Sequence, residues 1–149
     1  NEDKIKKLRN LWKGKLVIKG VESIDDINKA CKIGLDGVII SNHGGRQLDL
    51  GQATIDSLKT LVPLYQNKIK IMMDSGIRGG ADVARVLSQG ADFTFMGRTF
   101  MYGVCALGRD GGNHTISMLK KQLTQVMDQL SCSKVIDLKN TGIGNNKNN

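Results

Sequence analysis

The chain has 149 residues, 40% of them hydrophobic and 24% charged, enough for one ordinary domain, too few for two, and too apolar for disorder throughout. It holds no run near the roughly 18 apolar residues of a membrane span, and the charged stretch Asn1 to Lys7 does not read as an export signal. The net charge of +8 sits at the ends, with seven basic and two acidic side chains in residues 1–20, five and two in 120–149, and ten of each between; with 4% aromatics this argues against a nucleic-acid partner.

In chain order, Ile5, Leu8, Leu11 and Trp12 have the three- and four-residue spacing of a short amphipathic helix in a basic segment, 1–15. Leu16 to Lys19 is an apolar strand closed by Gly20. Ser23, with Asp26 three residues on, predicts the N-cap of a helix bearing Ile24, Ile27 and Cys31 on one stripe. The unit then repeats. Gly37 to Ser41 is a strand, a glycine-rich loop follows, and Thr54 is expected to cap a helix carrying Ile55, Leu58, Leu61 and Val62, closed with the help of Pro63. Ile69 to Met73 is a third strand with Val83, Val86 and Leu87 on the helix behind it, and Asp92 to Met96 a fourth.

Beyond the fourth strand come a short helix near Phe100 to Leu107, a loop at Gly108 to Gly112, and a long helix with Ile116, Leu119, Leu123, Val126, Met127 and Leu130 on one face, expected to pack outside the sheet. His114 reads as structural. The Asn-, Gly- and Lys-rich end, residues 139–149, is expected to be a disordered tail. Strands apolar on both faces and alternating with helices predict an α/β chain whose parallel sheet is covered on both sides. Four such units leave two architectures open, a small open sheet or half of an eight-unit barrel.

The unusual residue clusters all follow strands, at the ends where parallel α/β folds place their chemistry, and the four ends are expected to meet on one face. They hold Lys19, then Ser41 through His43 and Arg46 to Asp49, then Asp74 to Gly80, then Gly97 and Arg98. The third and fourth read as a phosphate site, because glycines let backbone N–H groups approach an anion, a helix N-terminus attracts it, and Arg78 and Arg98 add forked charge. The competing reading is a tight turn whose arginines pair with Asp74 and Asp82; two such loops in succession favour phosphate.

His43 and Arg46 suit a different task. A histidine accepts a proton near neutrality, and an arginine three residues later can grip a carboxylate with two parallel hydrogen bonds, a pairing suited to proton abstraction from a small carboxylic acid. The competing reading is a His-Gly-Gly turn with a solvated arginine, and Lys19 alone would be a strand-end lysine with its charge in water. There is no G-x-S-x-G elbow, no P-loop and no G-x-G-x-x-G, which disfavours the usual hydrolase, nucleotidase and nicotinamide chemistries. Cys31, Cys105 and Cys132 are odd in number and in no C-x-x-C pair, as expected for reduced thiols of an intracellular protein without zinc.

The run Ser-Asn-His-Gly-Gly-Arg-Gln-Leu-Asp at 41–49, after Leu-Val-Ile-Lys-Gly at 16–20 and before Asp-Ser-Gly-Ile-Arg at 74–78 and Gly-Arg at 97–98, closely resembles the FMN-dependent α-hydroxy-acid dehydrogenases of the L-lactate dehydrogenase and glycolate oxidase type. The resemblance covers residues 8–138 or so. It implies the four C-terminal β/α units of a (β/α)8 TIM barrel over residues 16–138, with FMN as cofactor and a small L-2-hydroxy acid, L-lactate first, as substrate. His43 would be the active-site base and Arg46 the carboxylate ligand. Lys19 and Ser41 would lie against the flavin, and Asp74, Ser75, Gly76, Ile77 and Arg78, with Gly97 and Arg98, would hold its ribityl chain and phosphate. Asp-Ser-Gly, where many members have Asp-Gly-Gly, looks more like the lactate dehydrogenase branch.

Family members carry eight units where four are matched, so the resemblance implies that the substrate-binding tyrosines and the aspartate that orients the histidine lie in the unmatched half. The chain alone is therefore expected to bind FMN weakly, to turn over no hydroxy acid, and to associate with a complementary N-terminal half or with itself. The electron acceptor, whether quinone, cytochrome or oxygen, stays open. The expected location is the cytoplasm, free or peripheral on the inner face of a membrane. Two other readings stand beside the enzyme: a non-catalytic remnant that keeps a phosphate-binding or interaction role, and a basic module working through its ends.

Overall fold

A computed structural model describes residues 1–48 and 50–143; Asp49, the last residue of the 41–49 run, and the final stretch 144–149 of the expected tail lie outside the described residues. The chain divides into two compact units, residues 1–75 and the part from Gly76 onward.

The first unit runs α1 (Glu2–Leu11), β1 (Val17–Val21), α2 (Ile24–Ile33), β2 (Gly37–Ile40), α3 (Thr54–Tyr65) and β3 (Lys70–Met73). Its strands lie in the order β1-β2-β3, every pair parallel, with Ile18 opposite Val38 and Val38 opposite Ile71. Ser23 caps α2 as expected, its hydroxyl accepting the Asp26 N–H at 3.1 Å. Helices α2 and α3 cover one sheet face, where Val38, Ile40 and Ile71 are fully buried beside Ile27 and Leu58. Val17, Ile39 and Met72, of the opposite parity, remain partly exposed. An added Cβ on Gly37 would strike Met72 and Val17, which places all three side chains on that second face. The strands are thus apolar on both sides, as read, but only one side is dry, because α2 and α3 both lie on it.

Two local expectations fail for identifiable reasons. Thr54 does not cap α3: Ala53 occupies the cap position, and Thr54 is the first helical residue with its hydroxyl turned to other partners. Pro63 does not close the helix, which continues to Tyr65; the proline omits one N–H without stopping the turn. The amphipathic stripe of α1 is real but largely wet, since Leu8, Leu11 and Trp12 are all exposed.

What holds α1 is charge. Asp36 accepts from Arg9 at 3.0 Å, Lys15 at 2.8 Å and the Leu16 N–H at 2.9 Å, and these bonds, Lys15 foremost, hold its carboxyl down at about 2. Because the folded value lies below the ordinary one near 3.9, the contribution is fully present above about pH 4 and is lost as pH falls through about 2. Protection factors of α1 amides should fall over that window, and Asp36→Ala should produce the same loss at pH 7.

The second unit runs α4 (Gly80–Ser88), β4 (Phe93–Thr94), α5 (Arg98–Leu107) and α6 (Gly111–Gln129), with 3-10 turns at Gly108–Asp110 and Val135–Asn140. The long helix α6 packs on α4 and α5 rather than directly on a strand. Its buried line is Gly111, Thr115 and Leu119, while Ile116 of the expected stripe is 43% exposed. Gly111 makes the crossing possible: a Cβ there would collide with the Gly103 carbonyl oxygen of α5. Order extends past residue 139, since Leu138 is fully buried and the Ile143 carbonyl accepts from Ser88 Oγ at 2.9 Å and Gln89 Nε2 at 2.6 Å. Composition hid this because Ser88 at the end of α4 and Gln89 just after it, not the tail's own side chains, supply the anchors. Among the described residues no helix is long and apolar enough to cross a membrane.

Candidate active site

In the first unit, six of the candidate residues gather at the strand ends. The turn after β2 places His43, Gly44 and Gly45 in succession at positive φ, 56°, 68° and 75°. Asn42 makes this possible, its side chain accepting the Gly44 N–H at 3.0 Å in an Asx turn. The buried Ser41 hydroxyl accepts the His43 N–H at 3.1 Å and a bond from Lys19 Nζ at 2.7 Å. Lys19 Nζ also lies 3.0 Å from Asp74 Oδ2. Arg46 is exposed, its Nε donating to the His43 carbonyl at 3.1 Å, so the guanidinium is anchored one turn from the imidazole.

Gly20 fits the imidazole against β1. It sits at φ +87°, where the register slips between Lys19 and Val21, and a Cβ on it would stand 3.0 Å from His43 Cε1. Both the bulge and the close approach require glycine there. The same bulge keeps Lys19 opposite Ile39 while Val21 drops to the covered face opposite Ile40.

At the end of β3, burial alone would raise the Asp74 carboxyl, but hydrogen bonds from Ser41, Lys19 and Ser75 outweigh it and hold the group below its ordinary range. Asp74 is therefore an anion balancing the Lys19 cation. Ser75 donates to Asp74 Oδ1 at 2.8 Å and accepts the Gly44 N–H at 3.1 Å. Thr54, expected only to cap a helix, donates to the carbonyls of Asp74 at 3.0 Å and Ser75 at 3.4 Å, pinning the turn that holds both. Sequence reasoning missed this role because a threonine before an apolar periodic run carries the same signal whether it caps or reaches outward. Asn42 was legible in principle, as Asn two residues before a glycine is an Asx-turn signal.

In the second unit the candidates are Gly76, Ile77, Arg78, Gly97 and Arg98. Gly76, Arg78, Gly97 and Arg98 are exposed, and the buried Ile77 offers its carbonyl to Thr99 Oγ1 at 3.3 Å. The helix after the Asp74–Gly80 loop does not stand ready for an anion as expected. Asp82 Oδ2 takes the N–H groups of Arg78 and Gly79 at 3.0 and 3.2 Å, and Gln122 Oε1 takes that of Gly80 at 2.8 Å. A carboxylate placed three residues into the helix has already filled the positive end. The start of α5 differs in its residues: Gly97, which has no side chain to offer, stands at the cap position and Arg98 opens the helix. As for the competing ion pairs, Asp74 is joined to Lys19, and Asp82 to Arg85 at 3.1 Å.

Comparison with known proteins identifies the family. The profile of FMN-dependent dehydrogenases matches residues 1–145. The L-lactate dehydrogenase of Alcaligenes faecalis is 39% identical over 128 residues, which are 86% of this chain and 34% of that protein. A crystal structure of mandelate oxidase with 3,3-difluoro-2-hydroxy-3-phenylpropionic acid superposes with a TM-score of 0.89 at 28% identity, covering 94% of this chain and 42% of that one. A soluble mutant of the membrane-associated (S)-mandelate dehydrogenase from Pseudomonas putida gives 0.87 at 35% identity, covering 93% and 39%. The chain thus spans about a third of the length of the curated relatives it matches. Its parallel α/β architecture is that of part of their barrels, and with the match running over nearly all its residues, this chain belongs to the FMN-dependent dehydrogenase family.

Proposed function

We propose that the chain supplies the C-terminal half of the active site of an FMN-dependent enzyme that oxidises a small L-2-hydroxy acid, L-lactate first, to the 2-oxo acid. The observation that carries this reading is the clustering of Lys19, Ser41 and Asp74 beside the glycine-seated imidazole of His43, with Arg46 anchored to the same turn. The donor set suits FMN. Lys19 is a partly exposed cation that would face the pyrimidine side of the flavin, where negative charge collects on reduction, and the Ser41 hydroxyl lies beside it. Asp74, an anion with its second oxygen on Ser75, can accept from a ribityl hydroxyl, and Gly76 and Ile77, the next residues in the chain, are the further candidates for that side of the cofactor. The phosphate falls to Arg78, Gly97 and Arg98, at the start of α5 rather than at the filled start of α4.

Oxidation of a 2-hydroxy acid to a 2-oxo acid releases two electrons and two protons. The chemistry FMN would supply when bound is acceptance of both electrons together with the second proton. His43 takes one proton, from the hydroxyl or from the α-carbon, and Arg46 holds the carboxylate so that this proton faces the imidazole. Lys19 offsets negative charge as it appears, a task for which its own Asp74 counter-ion keeps it oriented.

The test is anaerobic. The chain joined to the N-terminal half of a lactate dehydrogenase relative, and loaded with FMN, is mixed with L-lactate, D-lactate or (S)-mandelate while the flavin absorbance is followed. The expected result is bleaching by L-lactate. Bleaching by (S)-mandelate alone would move the substrate to the aromatic branch, and bleaching by none of the three would reject the reading.

A further inference from the structure

Ser75 stands in a conformation that serine rarely adopts. Its φ is +74°, the left-handed region in which a side chain meets its own backbone and in which glycine is at home. The residue is therefore retained against a local cost, and its hydroxyl is where a compensating gain is found. That hydroxyl donates to Asp74 Oδ1 at 2.8 Å and accepts the Gly44 N–H at 3.1 Å.

The second bond matters because of what Gly44 follows. His43 is also at positive φ, 56°, so the imidazole is carried on strained backbone that other contacts must hold. Local bonds do part of this: the His43 N–H goes to Ser41 Oγ, and the Gly44 N–H is shared with Asn42 Oδ1. Ser75 reaches in from the end of a different strand. The bonds close a ring from Lys19 through Asp74, Ser75, Gly44, His43 and Ser41 back to Lys19. A glycine at position 75 would relieve the backbone and open this ring.

We propose that Ser75 is a positioning residue, whose hydroxyl ties the backbone of the His43 turn to the Lys19–Asp74 ion pair and so fixes where the imidazole stands. The effect on turnover rests on His43 acting as the base; the effect on backbone order does not. Ser75 touches neither proton nor carboxylate of the substrate in this account. It acts through Gly44 on one side and Asp74 on the other.

Two variants separate the hydroxyl from the strain. Ser75→Gly removes both, and Ser75→Ala removes the hydroxyl while keeping the left-handed Cβ. Hydrogen exchange of the Gly44 amide is measured in the flavin-free chain, with the Leu58 amide as a core reference, and steady-state kinetics in the FMN-loaded protein joined to its N-terminal half. In both variants Gly44 should exchange about five- to tenfold faster relative to Leu58, and kcat should fall about five- to tenfold with KM within about twofold. Melting temperature should diverge, unchanged or higher for Ser75→Gly and lower for Ser75→Ala. Unchanged Gly44 exchange in Ser75→Gly overturns the inference, as does a loss of kcat confined to the variant that melts lower. If no variant, nor the parent, oxidises a hydroxy acid while Gly44 exchange still rises, the positioning role stands and the flavoenzyme reading is what fails.

Discussion

In the FMN-loaded protein joined to its N-terminal half, His43→Gln should lower kcat for 2-hydroxy-acid oxidation by roughly 10²- to 10⁴-fold while FMN stays bound. Glutamine has the bulk to fill the space against Gly20, which leaves only a Cβ-sized gap to the imidazole, and it can still donate hydrogen bonds. What it cannot do is accept a proton. The backbone bonds that seat residue 43, from its own N–H to Ser41 Oγ and from Gly44 to Asn42 and Ser75, do not depend on the side chain. Lys19, Ser41 and Asp74 keep their mutual bonds, so flavin binding should be within a few-fold of the parent. A variant that binds FMN and retains most of its kcat would remove the imidazole from the chemistry.

The second large effect is the dependence on the rest of the barrel. The chain by itself should hold FMN at least about tenfold more weakly than when joined to an N-terminal half, and should show no measurable hydroxy-acid turnover. In the first unit, Val17, Ile39 and Met72 are partly exposed on the sheet face that carries Lys19, and in the second Phe93 and Phe95 stack edge to face at 5.1 Å with 58% and 40% of their surfaces in water. Apolar strand residues of this kind are interior positions in a closed barrel. The relatives are about three times as long as the matched region, and the resemblance places the carboxylate that orients the histidine outside this chain. Flavin fluorescence titration and lactate-dependent dye reduction, on the chain alone and mixed with the N-terminal half of a relative, measure both effects. Robust turnover by the chain alone rejects the prediction.

Much of this was legible in the residues. Short apolar runs at 37–41 and 69–73 and the Ser23–Asp26 cap are local signals, and the structure places strands at 37–40 and 70–73 and a helix start after Ser23. The catalytic candidates were legible for a similar reason, since a histidine and an arginine three apart beside two glycines is a pattern of few purposes. The errors cluster where a side chain chooses between two partners. Thr54 could cap its helix or reach the Asp74 turn, and it does the second. Asp82 could pair with an arginine or fill the start of α4, and it does both, with Arg85 and with the N–H groups of Arg78 and Gly79. Ser75 reads as a branch marker in sequence and only the backbone angle shows that it is strained.

The amino-acid sequence by itself determined the alternation of strand and helix, the family, and the identity of the residues at the strand ends, because propensity, periodicity and motif spacing act over a few neighbouring positions. Only the tertiary structure decided which of those residues touch: that Lys19 answers to Asp74, that Gly20 makes room for the imidazole of His43, and that Ser75 reaches Gly44. Those contacts join positions as much as 55 residues apart in the chain, as with Lys19 and Asp74. No local rule sets such a distance, which depends on parallel register and on a single bulge in β1.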